Sequence, residues 1–569
     1  MNKITCLAVV FPCWLLLCMG CSDVLDEKKE LNSISDKDVW ANPKYATAYL
    51  DALHATNIPG WDYSNSSDCD EAGPDRGVSG HLFGQLTSNS VNTWPYSNIR
   101  NICLFLEGID QTSSFDGDIR DRLRAQALVI RAWVYFSMVR LYGGVPMILN
   151  SQKLSDDLYV TRTKTSECIR LIIKDLDDAI AVSDANFPYT WTGDDAGRIT
   201  KAAALALKGR ILLYWASPQF NPTNLQDRWQ AAYDANKEAK ELLEQHGYGL
   251  YESFSNVWFD EMNKEAVFVK RYQHPNMAHS WEAGTRPYES YLQLSGFNKP
   301  TWELASSFPM ITGEPVTESA VYDDVLFWKN RDPRFAATIV WNSCIYDLYG
   351  SSGRRQWTYN ESSNPSSTYM YCRKAIHEEY TTQQASAGYN SGDWIEIRFA
   401  EVLMNYAECA AETGKNDEAY DVLKQRRNRA GIIAGSNGLY GLKANMSKEE
   451  MISAVMLERK IEFAFEGKRF WDLRRRRLFA SELNGKQRHG RLPKLNIPME
   501  EFNEIRDEVN FYDDYGQYFT DEIVQIDNVY TINFLDNYYF YAIPNSHLET
   551  NSNLEQTQGW ENGAFNPLE

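Results

Sequence analysis

The chain has 569 residues and a formal net charge of −20, which comes from 57 Lys and Arg against 77 Asp and Glu. A body this acidic repels phosphate backbones and anionic lipid surfaces, so the composition argues against binding to nucleic acids. After the N-terminus no segment offers 18 apolar residues without a charge, so we expect any attachment to a membrane at the N-terminus alone.

The first 20 residues have the pattern of an export signal. Lys3 supplies a positive start, and residues 7–18 are almost wholly apolar but too short to span a bilayer, which takes about 20 residues. Gly20 is the small residue expected before a signal-peptide cleavage site, and Cys21 follows it directly. This arrangement resembles the lipobox of bacterial lipoproteins. We predict a signal peptide over residues 1–20 and acylation of the Cys21 thiol. An ordinary secretory signal with an incidental cysteine is the alternative.

Helical periodicity marks the first half of the mature chain. Residues 124–142 carry one apolar stripe that stops at Gly143. The pattern predicts an amphipathic helix over 166–182, a helix that is apolar on nearly every side over 201–215, and a more polar partner over 228–245. We expect the helix that is apolar all round to be buried.

Between two helical blocks, residues 250–396 are rich in Gly, Ser, Pro, Asn and aromatic residues and have no helical stripe. A long irregular segment on a helical scaffold is where binding usually resides. The chain holds 17 Trp, 33 Tyr and 25 Phe, and we expect rings in this segment, such as Trp281, to be less buried than Trp133 or Trp215.

A second helical block begins near Ile397. It is predicted to continue with a helix over 417–429 and with another that starts at a capping box formed by Ser447 and Glu450 and runs to about Glu466. The helices come as pairs, as in tetratricopeptide repeats, although no clean self-similarity of about 34 residues is present.

Other reactive or charged side chains are predicted to be structural. Cys103, Cys168 and Cys409 lie among apolar helical residues and are expected to fill the core, and the cysteine spacing fits neither a disulfide scaffold nor a zinc site. The basic run 474–477 follows a helical pattern, and we predict that it complements the dipole at the end of that helix.

Eight motifs follow one another in a fixed order. They are CSDVLD (21–26), RAQALVIRAWVYFSMVRLYGGVPMI (124–148), GRITKAAALALKGRILLYWASP (197–218), PTWELASSFPM (300–310), NRDPRF (330–335), IEIRFAEVLMNYAECAAETG (395–414), ERKIEFAFEGKRFWDLRR (458–475) and YYFYAIPNSHLETNSNLEQTQGW (538–560). In this order the motifs resemble the SusD/RagB family, the surface lipoproteins that work with TonB-dependent transporters in nutrient uptake by Gram-negative bacteria. The resemblance covers essentially the whole mature chain.

The resemblance implies a mainly α fold, in which four degenerate tetratricopeptide-like helix pairs form a scaffold packed against a loop-rich portion that binds the ligand. Residues 21–569 are then one SusD-like domain, with an N-terminal helical part (21–249), a loop-rich middle (250–396) and a C-terminal helical part (397–569). The resemblance also implies a lipid-anchored, non-catalytic protein on the outer face of the outer membrane, which passes a glycan to a SusC-type transporter. No cofactor is expected, and whether calcium is bound stays open.

Family members bind glycans through exposed aromatic rings, in loops after an N-terminal Asp-Glu pair and in the middle segment. A ring offers a flat apolar face to a sugar, while polar groups satisfy the hydroxyls. Here the pair is Asp70-Glu71, and the tryptophans that follow it in the family are absent. We predict that Trp281 and Tyr288 stack on the ligand and that Asp70, Arg76 or His81 forms hydrogen bonds to it. The full set of predicted ligand-binding residues is Trp61, Asp70, Arg76, His81, Arg271, Trp281, Tyr288 and Trp302.

Two other functions stay open from the sequence. A surface glycoside hydrolase needs two carboxylates about 5–10 Å apart, which the acidic residues can neither show nor exclude. The chain has no serine-hydrolase elbow and no P-loop, and the run 377–379 does not continue to H-E-x-x-H. The four-residue spacing of Glu458, Glu462 and Glu466 suits an ion-pair network better than a catalytic acid cluster. RagB-type relatives are associated with peptides, so a peptide ligand is the third hypothesis.

Overall fold

The computed structural model describes residues 36–61, 65–74, 79–287, 297–348, 351–359, 361–362, 366–528 and 530–569. Four of the predicted features lie outside these residues: the signal peptide, Cys21, Arg76 and Tyr288. Among the described residues, no helix is long and apolar enough to cross a membrane.

The first part of the described chain is helical. Its helices are α1 (Asp36–Ala41), α2 (Pro43–Asn57), α3 (Tyr96–Gln111), α4 (Gly117–Tyr142), α5 (Thr165–Ile180), α6 (Lys201–Ala216) and α7 (Gln226–Gln245). α4 packs along α5, and α6 packs along α7. The four helices predicted in this region are confirmed, although α4 begins earlier than its apolar stripe suggests.

The ends of these helices follow from single residues. The side chain of Asp116 accepts a hydrogen bond from the backbone N–H of Ile119 at 2.9 Å and so starts α4. Gly143 ends α4 with a φ of +76°, a conformation that glycine adopts readily. Thr200 caps α6 by accepting from the N–H of Ala203 at 3.0 Å. α6 is buried on nearly every side, as predicted.

The middle segment holds short elements joined by loops. They are β1 (Ala266–Lys270), α8 (Trp281–Thr285), α9 (Trp302–Ala305), α10 (Pro333–Thr338), β2 (Ile339–Val340), β3 (Tyr371–Cys372) and β4 (Trp394–Arg398). β1 pairs with β4 and β2 pairs with β3, both antiparallel. Because β4 continues into the next helix, the first of these small sheets joins the middle segment to the second helical block.

The C-terminal part returns to helices and adds two small two-stranded sheets, one antiparallel and one parallel. Its elements are α11 (Phe399–Glu412), α12 (Asn416–Ala430), α13 (Lys448–Glu462), α14 (Arg469–Arg475), β5 (His489–Leu495), α15 (Met499–Ile505), α16 (Phe511–Tyr518), β6 (Phe519–Gln525), α17 (Asn545–Thr550), β7 (Gln556–Thr557) and β8 (Gly563–Phe565). The predicted capping box is confirmed, since the N–H of Glu450 donates to Ser447 Oγ at 3.2 Å and the N–H of Ser447 donates to Glu450 Oε2 at 2.8 Å.

Two hydrophobic clusters hold the fold together. The larger one lies among the helices of both blocks, where α11 packs against α7, α12 and α13 with every residue buried. The smaller one belongs mainly to the middle segment and is rich in Trp, Phe and Tyr. This mainly helical scaffold with a loop-rich middle segment confirms the predicted fold class.

The glutamates of the predicted ion-pair network are buried between helices. Arg334 Nη1 donates to Glu458 Oε1 at 2.6 Å and to Glu462 Oε2 at 2.9 Å. Arg398 donates to Glu462 at 3.1 Å and to Glu466 at 2.7 Å. Burial alone would raise the pKa of Glu458, but Arg334 and a neighbouring arginine lower it to about 2. The prediction of a structural network is confirmed, with partners that come mostly from other elements.

The basic run at the end of α14 differs from its prediction. Arg474 and Arg475 are fully buried and do not lie on an exposed helix end. Arg475 pairs with Glu408 at 2.6 Å and with Asp472 at 2.9 Å, and Arg474 donates to the carbonyl of Tyr539 at 2.8 Å. Buried carboxylates of neighbouring helices need cationic partners, so this half of the run belongs to the core.

The cysteines of the described residues behave as predicted. Cys103, Cys168 and Cys409 have no exposed surface, and each is a free thiol. Burial raises the pKa of Cys168 to about 11, so this thiol stays protonated and packs as a small apolar side chain.

Candidate functional site

The N-terminal loop and the middle segment meet, as the predicted site requires. Ser66 Oγ hydrogen-bonds to the side chain of Asn298, and the N–H of Gly73 donates to the carbonyl of Lys299 at 2.8 Å. Thr301 Oγ1 donates to the carbonyl oxygen of Asp70 at 2.6 Å. These contacts bring together the two segments that the sequence assigns to ligand binding.

Asp70 and Glu71 are buried beneath this junction. Asp70 is 3% exposed, and its oxygens accept from Arg469 at 2.9 and 3.0 Å and pair with Lys460 at 2.9 Å. Burial would raise the pKa of Asp70, but Arg469 and Lys460 hold it well below its usual range. Glu71 Oε1 accepts from the N–H of Phe465 at 2.8 Å, and burial raises its pKa to about 8. The pair anchors the loop, and both carboxylate oxygens of Asp70 are held by cations of the chain.

His81 lies beside the N-terminal loop, with its Nε2 3.8 Å from Asp68 Oδ2. Its Nδ1 is 2.9 Å from the hydroxyl of Tyr541, and its ring packs edge-on against Phe470. Burial lowers the pKa of His81, although Asp68 opposes this effect. The residue is part of the packing around α14, and the structure does not bring it next to Trp61.

Trp61 sits at the centre of an aromatic cluster. Its ring centroid is 4.8 Å from that of Trp281, 5.0 Å from Trp394 and 5.2 Å from both Trp258 and His279. Its indole Nε1 donates to the carbonyl of Gly392 at 2.8 Å. Trp61 itself is half-buried, so part of its ring remains at the surface.

Trp281 occupies the buried side of this cluster, which corrects the expectation from sequence. It is 2% exposed, whereas Trp133 is 5% exposed and Trp215 is half-buried. The residue starts α8 and packs beside the small sheet of β1 and β4, where its neighbours cover its ring. A stacking platform needs an open ring face, and Trp281 has none in this structure.

Arg271 is exposed at the edge of the cluster. Its Nε donates to Asp393 Oδ2 at 3.0 Å, and its Nη2 donates to Glu261 Oε2 at 2.9 Å. The other oxygen of Asp393 accepts from the N–H of Tyr272 at 2.9 Å. Burial raises the pKa of Asp393 to about 6, with Glu261 adding to the rise and Arg271 opposing it. Arg271 therefore carries a charge that is largely neutralised by its neighbours.

Four rings beside this ion pair reach the surface, and we call them the aromatic face: Tyr272, His274, His279 and Tyr389. His274 stacks on Tyr389 with centroids 4.0 Å apart, and Tyr272 lies 4.9 Å from His279, edge to face. His274 is exposed, and the other three rings are half-buried. Burial lowers the pKa of His279 to about 4, so its imidazole is neutral at pH 7.

The backbone around the aromatic face is held by several cross-connections. The N–H of His279 donates to the carbonyl of Asn390 at 2.9 Å, and the N–H of Gly388 donates to Ser280 Oγ at 3.0 Å. The Asn390 side chain donates to the carbonyl of Gln384 at 2.6 Å. The first two bonds fix the segment 377–391 against the segment 271–280, and the third closes the turn that leads to Asn390.

Sequence reasoning did not select the segment 377–391. Its run HEEYTTQQASAGYN is polar and non-periodic and contains two tyrosines, which is the pattern expected of a binding loop. Aromatic residues in a polar, non-periodic run were also the reason for predicting Trp281 and Tyr288 in the earlier loop. Tyr380 stacks on His377 at 4.2 Å, so this segment also contains an aromatic pair of its own.

Trp302 lies on another side of the junction. Its ring packs edge-on against Phe327 at 5.4 Å, and the guanidinium of Arg491 lies 4.6 Å above it. The ring is half-buried, and it does not contact the aromatic face. The structure therefore groups Trp61, Arg271 and Trp281 and leaves Asp70, His81 and Trp302 elsewhere.

A cavity of about 730 Å³ lies beneath the junction, on the side of α13. Its lining includes Asp70 with Lys460, the hydrogen-bonded pair of His489 Nδ1 and Glu303 Oε1 at 2.6 Å, and Met456. Among the described residues, no group of three or more His, Cys, Asp or Glu is placed to hold a metal ion.

Two family models match the chain. The model described as the SusD family matches residues 264–560, and the one described as "Starch-binding associating with outer membrane" matches residues 31–213.

Individual relatives agree with these matches. A SusD-like protein of Formosa agariphila, P38, is 22% identical over 518 residues, which cover 83% of this chain and 92% of the relative. A SusD-like protein from Bacteroides fragilis superposes with a TM-score of 0.74 at 22% identity, over 92% of this chain and 99% of the other. A SusD-like carbohydrate binding protein from the same species gives 0.71 at 21% identity, over 91% and 99%. The structural likeness establishes a shared fold.

Proposed function

We propose, because this chain belongs to the SusD family, that it is a surface protein which binds an oligo- or polysaccharide. It then passes the ligand to a TonB-dependent outer-membrane transporter of the SusC type and catalyses no reaction itself. Cys21 carries the lipid that anchors it to the outer membrane, with the body facing the cell exterior.

The aromatic face is the main structural support for glycan binding. Its rings reach the surface in a polar and non-periodic part of the chain. Tyr272 and His279 also pack against the aromatic cluster of the middle segment, whereas His274 and Tyr389 stack on each other. Flat apolar faces next to hydrogen-bonding groups suit sugar rings, whose C–H side is apolar and whose rim carries hydroxyls. Gln273 and Asn276 beside His274 and Gln383 and Gln384 before Tyr389 are exposed and supply such groups.

The charges around the face favour binding over hydrolysis. A retaining or inverting glycosidase uses a pair of carboxylic groups with different protonation states that both reach the substrate. Here Asp393 is committed to Arg271, and Glu282 is committed to Arg286 at 2.6 Å in the buried interior. The carboxylates nearest the face thus serve to hold its loops.

The relatives' descriptions point in the same direction. One solved neighbour is described as a carbohydrate binding protein, and one matching family model is described as starch-binding. The family's tryptophans after Asp70-Glu71 are absent here, so we expect a glycan different from starch.

A glycan panel set against a peptide library tests the proposal. The purified mature chain should bind at least one oligosaccharide and release no reducing ends from it. Binding to peptides alone would support the RagB-like alternative, and release of reducing ends would show a hydrolase. The variant Tyr389→Ala should weaken binding about tenfold, which is typical of an aromatic anchor. Tyr512→Ala is the matched control, because Tyr512 is 53% exposed on α16 and lies outside the face.

A further inference from the structure

A second cavity contains an arginine that forms no ion pair with any residue the structure describes. The cavity has a volume of about 120 Å³ and lies between α4, α6 and the start of α14, where Arg140 and Tyr214 face Trp471. The guanidinium of Arg140 lies 3.8 Å from the centroid of Trp471. None of the described residues forms an ion pair or a side-chain hydrogen bond with this guanidinium, and its Nε is buried without a partner.

The other cations at the cavity are already paired. Arg210 binds Glu396 at 2.5 Å and Glu401 at 2.6 Å, and Lys468 binds Glu396 at 3.2 Å. Arg459, which also lines the cavity, binds Asp472 at 2.8 Å.

The carboxylates at the cavity are equally engaged. Glu466 binds Arg398 at 2.7 Å and Lys374 at 2.5 Å. Asp472 is shared between Arg459 and Arg475. Each carboxylate that lines the space is thus held by a cation other than Arg140.

Arg140 is half-buried with its Nε fully covered, so an anionic partner would stabilise its charge. Arginine cannot give up its proton near neutral pH, so it cannot escape the cost of burial by becoming neutral. Arg474 is also buried near Trp471 and has no carboxylate partner in the described part of the chain, which adds positive potential to the same region. An anion from outside the chain would stabilise the Arg140 charge and lower the positive potential near Trp471.

The cavity has further features of an anion site. The hydroxyl of Tyr214 has no hydrogen-bond partner among the described residues, although the side chain is only 7% exposed. It lines the same space as Arg140 and can donate to an anion. The volume holds several water molecules of about 30 Å³ each, which is comparable to the room that a small oxyanion needs.

We propose that the Arg140 cavity binds a small oxyanion or carboxylate group, held by the Arg140 guanidinium and the Tyr214 hydroxyl above the Trp471 ring. The group could come from a free anion of the medium or from an acidic substituent of a bound ligand. Gly60 and Asn65 line the cavity close to Trp61, so a ligand at that loop could place such a substituent inside.

Titration of the mature chain with two probes distinguishes a free anion from an acidic group of a bound ligand. Inorganic phosphate and glucuronate are added at constant ionic strength, and thermal unfolding and tryptophan fluorescence are followed, since Trp133, Trp394 and Trp471 line the cavity. We expect a saturable rise in the midpoint temperature with at least one probe. Phosphate binding indicates a free anion, and binding of glucuronate alone indicates an acidic ligand group.

Arg140→Gln should weaken this binding about tenfold or more, because it removes a charge-assisted hydrogen bond. Arg228→Gln is the matched control, since Arg228 stacks on Trp215 at 3.5 Å outside the cavity and its loss should leave anion binding unchanged. If Arg140→Gln does not fold, Tyr214→Phe keeps the volume and should weaken binding several-fold. The proposal is overturned if neither probe shifts the midpoint or if the variants bind as well as the wild type.

Discussion

Replacing Glu71 with glutamine is expected to change how the stability of the protein depends on pH. Glu71 is 1% exposed, and burial raises its pKa from 4.5 to about 8, so the folded protein keeps this carboxyl protonated at pH 7. The folded state therefore binds the proton more tightly than the unfolded chain. By linkage, the free energy of unfolding falls as the pH rises from about 4.5 to about 8.

The size of the change in unfolding free energy follows from the shift in the pKa of Glu71. One pKa unit corresponds to about 1.4 kcal/mol, so full ionisation of Glu71 costs on the order of 5 kcal/mol. Glutamine has nearly the same shape as the protonated acid and can still accept from the N–H of Phe465. Glu71→Gln should thus change stability little at pH 5 and make the protein more stable than the wild type at pH 8.5.

Urea denaturation of both proteins at pH 5, 7 and 8.5 measures the effect. The neighbouring residue provides the contrast, because Asp70 is ionised and paired with Arg469 and Lys460. Asp70→Asn leaves these buried cations without their partner and should cost about 3 kcal/mol at neutral pH. A constant difference between Glu71→Gln and the wild type at all three pH values would refute the reasoning.

Three further predictions concern other parts of the molecule. Arg398→Met should lower the free energy of unfolding by about 3 kcal/mol, because it breaks a buried ion pair. This is the low end of the usual cost, since the glutamate partners of Arg398 also contact other cations. The exposed Arg170→Met should change the free energy of unfolding little in the same urea titration. Ser447→Ala should cost about 1 kcal/mol through the lost cap of α13, and an unchanged midpoint would contradict the role of the capping box. Cys21→Ala should fold and bind ligand but be released from cells, which fractionation followed by immunoblotting can show; retention on the outer membrane would argue against the lipid anchor.

The helical scaffold was predictable because its signals are local. The stripe that ends at Gly143 and the box of Ser447 and Glu450 each lie within a few residues, and the helix follows from them directly. The buried glutamates of α13 were also recognised from their spacing. Their partners were not, since Arg334 and Arg398 come from distant parts of the chain.

The candidate site was predictable only in outline. The meeting of the N-terminal loop with the middle segment followed from the family resemblance, but the burial of each ring depends on long-range packing. Trp281 and His274 lie only seven positions apart, yet Trp281 is 2% exposed and His274 lies at the surface. Asp70 pairs with a residue 399 positions away, so its anchoring role leaves no local signal. Arg76 and Tyr288 stay predictions.

The most direct test of the proposed glycan binding is isothermal titration of the mature chain with the oligosaccharide that the panel selects. The comparison uses the wild type, the double variant His274→Ala/Tyr389→Ala and the control Tyr512→Ala. We predict that the wild type and the control bind equally, while the double variant keeps its stability and loses at least about tenfold in affinity. Equal binding by all three proteins would contradict the assignment of the aromatic face as the site where the ligand is held.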